Sequence, residues 1–195
     1  MDKLHAAWQE LLVELAQRAP TTWSALRPPS TSTQNVEARL PRPLNEELRS
    51  WFGLHRGFDP WTAGQIFPFN TAVDLPTAVE DTLLRRRIWQ ADPLEEQDLE
   101  QLTGQPPGRI ARTWLDAYVV LAKDGMGGGL FVDLRPGLLH GCVRWWDKVD
   151  ADDFDILSTS VAALVTDVTH SLRTGESVGG WVPHLVDGVI DWTPA

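Results

Sequence analysis

Leu4, Trp8, Leu11 and Leu15 recur three to four residues apart, with Ala7 and Leu12 beside them. That spacing predicts one amphipathic helix, ended by Pro20. Leu44, Leu48, Trp51 and Phe52 mark a second helix. Pro43 suits its first turn, Glu46 and Glu47 sit at its positive end, and Gly53 stops it. Residues 65–69 have the character of a short strand, placed at an edge because Pro68 lacks a ladder donor. Asp74-Leu75-Pro76 opens a third helix, carried by Leu75, Val79 and Leu83 and continuing through Arg85-Arg86-Arg87 to Trp89. The arginine run predicts a solvated helix face, with Glu95-Glu96 downstream as its acidic partner. Residues 92–102 predict a short acidic helix, and 104–108 a loop.

Farther along, the period changes. Residues 114–122, 130–134 and 141–146 are rich in apolar and β-forming side chains, and turn sequences separate them. Three such runs predict an antiparallel meander. Ser158 is the expected cap of a last helix, buried along Val161, Leu164, Val165, Val168 and Leu172 and stopped by Gly175. Asp187-Gly188 between two β-rich runs predicts a hairpin. Helices, then a sheet, then a helix and a hairpin indicate an α+β fold rather than alternating βαβ units. Length favours one domain over 1–195, with a loop at 27–36 and a helical insertion at 92–103.

Composition narrows the function classes. The chain has 195 residues, a net charge of −10 and ten tryptophans. A disordered acidic tail does not carry so many indoles. An acidic chain lacks the basic face that phosphate backbones require, so nucleic acid is excluded as the expected partner. The lone Cys142 excludes an internal disulfide framework and a cysteine-based zinc site. No signal-like or membrane-spanning apolar run occurs, so a cytoplasmic protein without membrane contact is expected.

Motifs for chemistry are sparse. The glycine run at 124–129 leads into a strand, so it predicts a flexible hairpin rather than a phosphate cradle, which needs a following helix N-terminus. Asp116, Asp124 and Asp133 are expected to be solvated or turn-forming, not a cation site. No nucleophile elbow is present, and Cys142 among apolar neighbours is expected to be a small core residue. Trp8, Trp51 and Trp114 lie on apolar stripes and are core markers. Trp145 and Trp146, adjacent on a strand, point to opposite faces. One indole is therefore either covered by a second layer or presented to a partner.

Four blocks together resemble the SUKH superfamily, in the branch of Smi/Knr-type cell-wall-assembly regulators and their bacterial relatives. They are residues 40–57, from Leu40-Pro41 to Gly57; Ile66-Phe67-Pro68-Phe69 with the helix to Trp89; residues 114–134, from Trp114-Leu115 through Asp124-Gly125 to Asp133-Leu134; and Gly141-Cys142-Val143-Arg144-Trp145-Trp146 with the following helix. Where the family often has Gly-Asp before the second strand of the third block, Gly128-Gly129 stands here. The resemblance implies an antiparallel sheet flanked by helices, with no catalytic centre and no cofactor. Bacterial members neutralise polymorphic toxins as immunity proteins, and fungal members act as interaction hubs. Combined with the acidic charge, this makes the first expectation an immunity-type module that binds a basic toxin, imitating a polyanion. Its candidate contacts are Asp124, Trp146, Asp147, Asp150, Asp152 and Asp153. A regulatory or scaffold protein without a toxin is the second expectation. An enzyme whose site leaves no motif is the third.

Overall fold

The computed structural model describes residues 3–29, 36–59, 65–90 and 96–195. Helix α1 (Lys3–Arg18) buries Leu4, Ala7, Trp8, Leu11 and Leu15, the stripe predicted. Pro20 opens a short α2 (Pro20–Ser24) as well as closing α1, because its ring fits a first helical turn. Helix α3 (Glu46–Leu54) starts later than expected. Asn45 caps it by accepting from the Leu48 amide at 2.9 Å, which leaves Pro43 outside and Gly53 inside.

The expected edge strand at 65–69 does not form. Phe67 and Asn70 exchange backbone hydrogen bonds, and Asn70 Nδ2 donates to the Pro68 carbonyl at 2.7 Å, closing a tight turn instead. Strand β1 (Thr71–Ala72) follows it. Asp74 then caps α4 (Leu75–Trp89). The acidic helix is α5 (Glu96–Gly104), and the start expected for it at 92 lies outside the described residues.

Strands β2 (Tyr118–Lys123), β3 (Gly129–Asp133) and β4 (Cys142–Trp146) form the predicted meander. With β1 and β5 (Ile156–Ser158) they make a five-stranded antiparallel sheet in the order β1-β2-β3-β4-β5. Ser158 is thus a strand residue. The cap of α6 (Val161–Thr174) is Ser160, whose Oγ accepts from the Ala163 amide at 3.1 Å. Glu47 of α3 adds a second cap by accepting from the Val161 and Ala162 amides. Strands β6 (Trp181–Val186) and β7 (Val189–Pro194) pair as the predicted hairpin. Positive φ at both Asp187 and Gly188 matches a two-residue turn of the favoured hand.

Both faces of the large sheet are covered. Ala117, Val119, Leu121, Val132 and Val143 join the core shared with α1, α3 and α6. Tyr118, Val120, Phe131 and Trp146 join a second cluster with Trp114 and Leu115, against which Trp89, Leu99 and Leu102 pack. The Trp145–Trp146 pair splits between these layers. Trp146 is 3% exposed and edge-on to Trp114 at 4.8 Å, whereas Trp145 packs against the core shared with α1, α3 and α6.

Two buried ion pairs fasten the second layer. Arg144 donates to Asp152 Oδ2 at 3.0 Å, and Asp152 also accepts from the Ala111 and Arg112 amides and the Tyr118 hydroxyl. Arg135 pairs with Asp133 and, like Arg144, donates to the Arg109 carbonyl. Burial raises the Tyr118 hydroxyl above its ordinary value, so it remains a donor.

The arginine run departs from its expected solvated face. Arg85 is 8% exposed, donates to the Gly128 carbonyl at 2.8 Å and lies over Trp114 and Trp146. Arg86 pairs with Asp116 at 2.6 Å, and Arg87 is exposed. The proposed Glu95-Glu96 partnership falls on side chains outside the described ones. A helix lying on a sheet turns every third or fourth residue inward, whatever its charge.

Candidate functional site

Strand β1 continues outward into an irregular flap. The Phe58 amide donates to the Ala72 carbonyl at 3.3 Å, and Arg27 and Gly57 pair beyond it. Gly57 makes this approach possible. Its φ is +73°, and a Cβ there would stand 2.9 Å from the Ala72 carbonyl oxygen. His55, buried beneath, accepts the Gly57 amide on Nδ1 at 2.8 Å and braces the turn.

The β6–β7 hairpin stands opposite. The Thr21 and Thr22 amides both donate to the Gly188 carbonyl, and the Ile190 amide donates to Thr22 Oγ1. Trp192 Nε1 donates to the Gln65 carbonyl at 2.8 Å. Strand alternation sends the Ile190 and Trp192 side chains inward and leaves Val189 and Asp191 on the other face. Between hairpin and flap lies a cleft of about 1060 Å³. Its walls are Val186, Val189, Asp187 and Asp191 on one side, and Arg27, Arg56, Thr71 and Lys123 on the other, with Gly57 and Phe58 at the base.

Most charged groups in the cleft already have structural work. Lys123 pairs with Asp81 at 2.7 Å, and Asp74 caps α4 by accepting from the Thr77 amide. Asp191 accepts the Trp192 amide. Arg27, Arg56 and Asp187 have no ion-pair partner among the described residues. His55 is held neutral, because burial lowers its pKa to about 4 while Asp74 opposes that only weakly.

The six predicted contact residues separate. Asp124 is half-buried on the cleft rim, where its carboxylate accepts from the Met126 and Gly128 amides. It forms the turn that the glycine run predicted. Trp146 and Asp152 are corrected, since both are buried in the second layer and offer a partner no surface. Asp147, Asp150 and Asp153 share the loop after β4. Asp147 accepts from the Val149 and Asp150 amides, Asp150 is exposed, and Asp153 pairs with Arg112 at 2.7 Å. Asp116 and Asp133 bind arginines, and no group of three His, Cys, Asp or Glu among the described residues is placed to hold a metal ion. Cys142 is a buried core residue whose thiol is pushed up to about 12 by desolvation. Sequence reasoning missed Arg27, Arg56, Val186 and Val189. Its signals near the cleft were Asp124, the helix start at Asp74, Gly57 and the Asp187-Gly188 turn.

No helix among the described residues is long and apolar enough to cross a membrane. No family model matches the chain. Among curated proteins it is similar to the cell wall biosynthesis/cell cycle regulator smi1 of Schizosaccharomyces pombe. The two are 26% identical over 153 residues, which is 72% of this chain and 29% of that protein. The chain therefore spans less than a third of its relative's length. This distant likeness is to a regulator of the type that the sequence blocks resemble.

Proposed function

We propose that this chain is a non-catalytic protein-binding module of regulatory or scaffold type, and that the cleft between flap and hairpin receives an extended segment of the partner. The cleft itself carries this reading. Its hairpin wall offers Val186 and Val189, and most of its charged side chains cap helices, hold turns or close ion pairs rather than converging on a reacting atom. The likeness to a regulator supports the same direction. Affinity capture followed by competition tests it. A partner held by wild type and by Leu138→Glu, a change at a fully exposed loop position away from the cleft, and lost by Val186→Glu supports the reading. Equal retention by all three refutes it.

A second reading, toxin immunity, is favoured by the net charge of −10 and by Asp147, Asp150 and Asp153 on one loop. A basic toxin would dock there by charge complementarity. Where a toxin-like gene lies beside this one, co-expression with its product tests it, since cells left unprotected would end that reading.

A further inference from the structure

Strand β6 leaves part of one backbone edge open. Ile190 of β7 uses its own amide and carbonyl outside the hairpin, donating to Thr22 Oγ1 and accepting from the Gln65 amide. In an antiparallel pair whose members do not bond each other, both residues aim these groups outward. Leu185, the cross-strand partner of Ile190, therefore aims its amide and carbonyl away from β7. Trp181 lies on the same alternation and exchanges both groups with Val178. Between them Pro183 offers a carbonyl and no donor. The hairpin sheet has two strands, so no third strand among the described residues takes up these groups of Pro183 and Leu185. Leu185 is 38% exposed and Val186 45%. Proteins blunt such edges with charged side chains. The run Trp181-Val182-Pro183-His184-Leu185-Val186 holds no Asp, Glu, Lys or Arg, and it reaches the cleft at Val186.

Resting on the cleft reading above, we propose that the partner's extended segment joins β6 as a third, antiparallel strand. Its residue opposite Leu185 accepts from the Leu185 amide and donates to the Leu185 carbonyl. Its residue opposite Pro183 donates to the Pro183 carbonyl. These bonds are made by main chain, so they demand an extended segment with no proline at the two paired positions. Alternation sends those two side chains to the face of Leu185, and their neighbours to the face of Val186 and Val189. Both faces offer aliphatic contacts, which suit a β-branched, aliphatic segment. A second copy of this chain is the poorer occupant, because each copy carries a net charge of −10 and the two repel.

The test uses the full chain and a short peptide of alternating Val and Thr, closed by Lys at both ends. Two further forms are N-methylated, one at every Val amide and the other at every Thr amide. One form is expected to bind like the parent, and the other about tenfold more weakly, since only alternate amides face β6. Leu185→Pro should weaken the parent peptide about tenfold, and Leu185→Ala should stay within about twofold. Proline at 185 takes the same alternation as Pro183, and the unfolding midpoint checks that the variant folds; if it does not, the two methylated forms decide. The Leu185 amide should exchange rapidly with solvent in the free chain and slow down when peptide binds. Equal weakening by both methylations, full binding by folded Leu185→Pro, an unchanged exchange rate at Leu185, or pairing of β6 with a second copy each overturn the proposal. Binding abolished by Val186→Glu and spared by Leu185→Pro keeps the cleft and removes the strand edge. Binding abolished by Leu185→Pro and spared by Val186→Glu keeps the edge and removes the cleft. Binding of no form removes both.

Discussion

Acidifying the solution from pH 7.5 to about pH 5 should destabilise this protein through His55. The imidazole is 1% exposed, stacked near Trp8 at 5.1 Å and set edge-on to Trp51 at 4.4 Å. Nδ1 accepts the Gly57 amide, and Nε2 has no hydrogen-bond partner among the described residues. Protonation would place a charge in this apolar site and convert Nδ1 into a donor, so the Gly57 amide would lose its acceptor. The folded pKa lies near 4, against 6.5 in an unfolded chain. Between those values the unfolded chain binds a proton that the folded chain does not. The stability from a neutral His55 is complete above about pH 6.5 and falls as pH drops toward 4. At about 1.36 kcal/mol per pH unit, the full loss is roughly 3 kcal/mol, of which about 2 kcal/mol is gone by pH 5. Urea unfolding followed by tryptophan fluorescence measures it at each pH. His55→Asn is the control, because its amide oxygen can accept from Gly57 but does not titrate. The paired carboxylates of Glu14, Glu37 and Asp116, whose pKa values are lowered, act at lower pH and are common to both proteins. Parallel stability–pH profiles for wild type and His55→Asn would refute the reasoning.

Asp152→Ala should cost about 3–5 kcal/mol in urea unfolding, because it strands the buried Arg144 charge and frees the Ala111 and Arg112 amides; a loss below about 1 kcal/mol would mean that water replaces the carboxylate. Gly175→Ala, at φ +78° with open space around it, should cost about 1 kcal/mol. Gly57→Ala should cost more, about 2–3 kcal/mol, because strain adds to contact with the Ala72 carbonyl, and it alone should perturb amide resonances around the cleft. Ser160→Ala should cost about 1 kcal/mol as the true cap of α6, and Ser158→Ala distinctly less; the reverse order would restore Ser158 as the cap.

The sequence alone determined what depends on neighbours along the chain. The α1 stripe, the Asp74 cap, the Gly175 stop, the meander and the Asp187-Gly188 hairpin all rest on short-range rules, and all are present. Where two local signals competed, the structure chose by hydrogen bonding. Asn45 starts α3 in place of Pro43, and Ser160 starts α6 in place of Ser158, because in each case a side-chain oxygen reaches an amide three residues on. Burial was decided only by tertiary packing. Arg85, Trp146 and Asp152 look like surface residues when sequence separation alone is considered. The second layer closes over them, since residues 111–115 return across the sheet and are pinned by Asp152 some forty positions away. The cleft is the most tertiary feature of all. Its walls come from Arg27, Arg56 and the 186–191 hairpin, segments separated by more than a hundred residues. No local propensity couples such distant segments. They meet because Gly57 lets the flap pass close to β1 and Gly188 docks the hairpin on α2.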